Sequence, residues 1–226
     1  MIATDNFLFL HLHKSGGTFI NHAILKFITN AKRLGYHLPY ACRPVGYDHL
    51  PVVGVIRNPW DYYISFYFFQ HNSKQPNYVF RAFSEDGLCD LKQTVMNMAF
   101  PTDKHFSILR DVAPEHFTNR GVNLTKRCVE QLQTYSGGWY SRLFERMYDG
   151  AETHFMRVEN LRDDFLYMID LFGEKTTAEF DHYVLNSKKK NTSAHEHYIT
   201  YFDNELRECI NDADQALIER FDYSFQ

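Results

Sequence analysis

The residues best suited to chemistry are HKSGGT, at positions 13–18 of this 226-residue chain. Gly16 and Gly17 let backbone approach a ligand closely, and Lys14 adds a full positive charge. If a helix begins just after the glycines, its first amides are donors with no partner inside the helix. Together with Ser15 and Thr18 these groups make a site for an anion, with phosphate the expected guest. A Walker A loop is a different object. It puts Lys after the glycines, with another Gly five residues before that Lys, and position 9 here is Phe9. The bland alternative is a tight turn carrying an exposed Lys. A second cluster is RNPWDYYISFY, residues 57–67. Arg57 offers a planar donor fork suited to phosphate, and Ser65, two helical turns further on, adds a hydroxyl donor. An arginine in an ordinary rim ion pair is the competing reading.

Both clusters need strands to hold them. FLFLHL (7–12) is a short apolar run that reads as a buried strand ending at the glycine turn. From Thr18 the apolar positions Phe19, Ile20, Ala23, Ile24, Phe27, Ile28, Ala31 and Leu34 keep helical period, which predicts a helix ending at Gly35. VVGVI (52–56) predicts a second buried strand running into Arg57, and Pro59 fits the first turn of the next helix. Further helices are expected over about 88–99, over 126–148 except at Gly137 and Gly138, over 159–172 and over 199–221. HFMRV (154–158) predicts a third strand. Alternating strands and helices imply an α/β fold: one domain, 1–226, with a central parallel sheet flanked by helices. Arg57 then stands at the carboxyl edge of the sheet, where such folds bind ligands.

Composition narrows the function. A formal charge of −4 argues against broad nucleic-acid binding, so an anion site has to be local. The four cysteines form no CxxC pair, which argues against a zinc ribbon or a dense disulfide framework and makes a reducing compartment the default. The N-terminus lacks signal-peptide character, and no apolar run approaches membrane-spanning length, so a soluble, cytoplasmic protein with no membrane partner is expected. The pairs His11/His13 and His195/His197 have no third ligand at diagnostic spacing, and no metal is expected.

Taken together, HKSGGT and RNPWDYYIS resemble the PAPS-dependent sulfotransferases, particularly the branch of the carbohydrate (heparan/chondroitin, uronyl 2-O-type) enzymes. The resemblance implies a P-loop-like nucleotide-binding fold. Lys14, Gly16, Gly17 and Thr18 match the family loop that holds the 5′-phosphosulfate, while Arg57, Pro59 and Ser65 match its 3′-phosphate element. RVENL (157–161) and the stretch 191–223 look like the family's later motifs, so the likeness spans 7–67 and 153–223 and leaves 71–150 as the acceptor-facing segment. It also implies that the loop containing Lys189 and Asn191 closes over the nucleotide. Two departures stand out: His13 where family members often have Pro, and Tyr62 where they often have Arg.

The activity implied is transfer of the sulfuryl group from PAPS to a hydroxyl or amine of a small-molecule or glycan acceptor, releasing PAP without a metal. Lys14 and the loop amides would stabilise the leaving group. GYH (35–37) resembles the Gly-x-His element that supplies the base in the uronyl 2-O enzymes. That makes His37 the first choice of base, with a pKa near the working pH, ahead of His11 and His13 and then Asp48, His49 and Glu85. The competing readings are a P-loop-type kinase and a non-catalytic module that binds PAP.

Overall fold

The structure, a computed structural model, describes residues 1–118, 121–188 and 195–226. Its sheet has five strands, β1 (Ile2–Ala3), β2 (Leu8–Phe9), β3 (Lys32–Arg33), β4 (Val52–Ile56) and β5 (Thr153–Arg157), in the order β3-β1-β2-β4-β5. The expected parallel part is β2-β4-β5: Leu8 pairs Val52, and Val52 to Ile56 pair Thr153 to Arg157. β1 extends it antiparallel to β2, and β3 lies antiparallel to β1, so the sheet is mixed. β1 and β3 are two residues each, too short for an alternating pattern to reveal them.

The described residues form two compact units, one of 1–57 with 147–191 and the other of 58–146 with 192–226. The first contains the whole sheet. Helix α1 (Gly17–Phe27) follows β2 through the glycine loop. It is shorter than its apolar period predicts, because Ile28 leaves the helix in an extended conformation (φ −92°, ψ 120°) and the chain then turns through the left-handed Asn30 (φ 65°) into β3. Phe19, Ile20, Ala23 and Ile24 of α1 pack on Phe9, Val53, Val55 and Met156 of the sheet. Phe165, Met168 and Ile169 of α8 (Leu161–Leu171) and Phe180 and Val184 of α9 (Ala178–Asn186) complete this core. Each large side chain so buried contributes roughly 1.5–3 kcal/mol. Gly54 points to the opposite face, where a Cβ would lie 2.6 Å from the Tyr148 ring, whose hydroxyl donates to Val55 O at 3.3 Å.

The second unit is helical. Helix α2 (Pro59–His71) starts as expected at Pro59, and Asn58 caps it by accepting from Trp60 N at 3.1 Å. α3 (Tyr78–Phe83), α4 (Leu91–Ala99), α5 (Asp103–Val112), α6 (Lys126–Thr134) and α7 (Trp139–Tyr148) follow, the last two residues of α7 belonging to the first unit. α10 (Asn204–Ala213) and α11 (Gln215–Arg220) divide the expected final helix at Asp214. That residue is fully buried, and its Oδ1 accepts from Ser141 N at 3.0 Å and from Ser141 Oγ. Tyr62 is buried and stacks on Tyr140 at 4.0 Å, an aromatic use of a position where family members often carry Arg. Among the described residues no helix is long and apolar enough to cross a membrane.

Candidate functional site

Because β2, β4 and β5 are parallel, their carboxyl ends share one edge of the sheet in the first unit. The loop 13–18 leaves β2 there, Arg57 follows β4, and Arg157 ends β5. The Arg57 Nη1 donates to Lys14 O at 3.1 Å, which ties the first two features together. Lys14 itself is left-handed (φ 55°), an uncommon state for a residue with a Cβ and one that concentrates at functional sites.

The loop is built by exclusion. Gly16 (φ 73°) is the N-cap of α1, and a Cβ on it would meet Leu161 Cδ2 at 2.7 Å, so RVENL packs directly against the loop. On Gly17 a Cβ would fall 2.1 Å from His11 Cδ2. Ser15 is fully buried and donates to His13 O at 3.3 Å, which stabilises the turn. Gly16 brings no side-chain cap to α1 and no acidic residue occupies its first turn, so its dipole end suits an anion.

His37 comes to this loop from 26 residues away, and its Nδ1 lies 2.6 Å from His11 O. A carbonyl oxygen only accepts, so the proton of the neutral ring is on Nδ1 and the lone pair is on Nε2. Asn21 Nδ2 donates in turn to His11 Nδ1 at 2.8 Å, which places the proton of a neutral His11 on Nε2. The rings are tightly grouped: His13 stacks on His37 at 3.9 Å and 20°, and His11 lies 4.3 Å from it. Burial first, then His13 and His11, hold His37 well below the ordinary histidine value, in place of the pKa near working pH expected from the sequence. Burial does the same to His11, with His13 adding to it. These surroundings favour the neutral form of His37.

The other candidate bases have different surroundings. Asp48 is paired with Arg43, and Glu85, in the second unit, is paired with Lys104 at 2.7 Å, whose charge and hydrogen bond lower its pKa. His49 is exposed. Ser65 is buried on α2 in the second unit. Lys189 and Asn191 lie outside the described residues. Among the described residues no three His, Cys, Asp or Glu side chains are grouped to hold a metal. Sequence reasoning met Arg157 only as the first residue of RVENL and did not single it out, and it passed over Tyr36, signalled only by adjacency to His37.

A scan against protein-family models finds no match, and a search of curated proteins finds none. Among solved structures, the crystal structure of mouse sulfotransferase SULT7A1 complexed with PAP matches at a TM-score of 0.52 and 14% identity, over 97% of this chain and 86% of that one. The chain has the sulfotransferase fold.

Proposed function

We propose that the chain transfers the sulfuryl group of PAPS to an acceptor hydroxyl or amine, releasing PAP. The observation that carries this reading is the Lys14-to-Thr18 loop joined to Arg57 at the carboxyl edge of β2 and β4, beside a neutral imidazole. The mouse protein of like fold holds PAP, which supports the same nucleotide here. Gly17, with no room for a Cβ, and the uncapped start of α1 fit a 5′-phosphosulfate. The family resemblance assigns Arg57 to the 3′-phosphate.

In the reaction the acceptor oxygen or nitrogen forms a bond to sulfur as the bond from sulfur to the bridging oxygen of PAPS breaks. The acceptor's proton passes to His37 Nε2, and PAP carries away the electron pair. Lys14 and the first amides of α1 meet the charge that grows on the bridging oxygen, and one such donor is typically worth ~10²- to 10³-fold in rate. Acceptors are sugars, other alcohols, phenols or amines. The test is PAP release from PAPS across a panel of these acceptors. Acceptor-dependent release that falls in Lys14→Ala at saturating PAPS supports transfer. PAP binding with no turnover on any acceptor would instead make the chain a nucleotide-binding module, and a Lys14→Ala variant changed only in its PAPS Michaelis constant would remove Lys14 from the chemical step.

A further inference from the structure

Tyr36 touches both halves of the proposed site. His37 is left-handed (φ 48°), so the two neighbouring side chains do not diverge to opposite faces as they would in an extended strand. Instead the Tyr36 ring stands edge-on to His37, with centroids 4.2 Å apart at 65°, and edge-on to His11 at 5.6 Å and 85°. Its hydroxyl shares a hydrogen bond with the hydroxyl of Thr18, the second residue of α1. One side chain thus leans on the base and holds a residue of the anion loop.

We infer that Tyr36 is a positioning residue that joins the nucleotide loop to the base, its hydroxyl holding Thr18 in the loop and its ring fixing the face of His37. The inference rests on the nucleotide reading above. A serine or threonine hydroxyl has one proton and can rotate. The bond to Tyr36 restrains the Thr18 side chain to one orientation, and Thr18 stands in the first turn of α1, where the amides face the anion. The left-handed backbone at His37 is what lets one residue serve both groups.

A double-mutant cycle read by calorimetry with PAP tests this, using the wild type, Tyr36→Phe, Thr18→Val and the double variant. Tyr36→Phe keeps the ring and loses only the hydroxyl. It is expected to weaken PAP about 3- to 10-fold, the range of one hydrogen bond, and to have less than about a 2-fold effect in the Thr18→Val background. It is expected to raise the PAPS Michaelis constant by more than it lowers turnover, whereas Tyr36→Leu, which removes the ring, lowers turnover by more than Tyr36→Phe does. Equal weakening by Tyr36→Phe in both backgrounds, or none in either, overturns the proposal and leaves the nucleotide site standing. A wild type that gives no heat with PAP overturns the nucleotide reading and this proposal with it. If Thr18→Val does not fold, Thr18→Ala takes its place in the cycle.

Discussion

The tautomer of His37 is fixed by its surroundings, and that decides what the residue can do. With Nδ1–H held by His11 O, the lone pair is on Nε2, and the neutral ring needs no prior deprotonation at pH 7. His37→Ala is expected to cut turnover by ~10²- to 10⁴-fold, the usual contribution of a positioned base, with PAP affinity nearly unchanged. Because the folded pKa is depressed, the wild-type rate is expected to be flat from pH 6.5 upward and to fall only in acid, and His37→Ala should lose that acid limb. A variant with the rate and pH profile of the wild type would move the base to His13 or His11. The sequence pointed to His37 only through a short likeness. The contacts that set its tautomer and depress its pKa come from residues up to 26 positions away, and no local pattern encodes them.

Among the elements, β4 and the start of α2 were readable to the residue. VVGVI is an unbroken apolar run, and Pro59 behind the Asn58 cap gives an unambiguous helix start. The end of α1 was not, since Ile28, Ala31 and Leu34 continue its apolar period although the backbone turns extended at Ile28 and left-handed at Asn30. α5 and α9 were missed because each is short and places few apolar residues on its buried face. The apolar run of β4 contains one position the sequence could not explain, Gly54, which makes room for Tyr148. Gly54→Ala is expected to destabilise the protein by about 1–3 kcal/mol through overpacking, and Tyr148→Phe by about 1 kcal/mol through loss of the hydrogen bond to Val55. Chemical denaturation of both variants checks the pair. A Gly54→Ala protein as stable as the wild type would show that the Tyr148 ring can move aside.

At the scale of the whole molecule, the histidines also couple stability to pH. His11 and His37 have folded pKa values below their unfolded value of about 6.5. Above that value neither state binds the extra protons. As pH falls below 6.5 the unfolded chain binds them first, so stability is expected to decline by up to about 1.4 kcal/mol per pH unit for each histidine until the folded pKa is reached. Thermal melts from pH 7.5 to 5 should show this decline, and His37→Gln should make it shallower. A melting temperature independent of pH over that window would mean that the imidazoles are not buried neutral in solution.

The chain's net charge is −4, so affinity for a nucleotide carrying two phosphates has to come from the local array at the sheet edge rather than from the overall field. Calorimetric titration with PAP and with adenosine 5′-monophosphate, which lacks the 3′-phosphate, tests that array in the wild type and in Arg57→Ala. The account predicts that PAP binds the wild type much more tightly than the monophosphate, and that Arg57→Ala removes most of this difference while still binding the monophosphate. No heat with PAP, or equal losses for both nucleotides in Arg57→Ala, would contradict it.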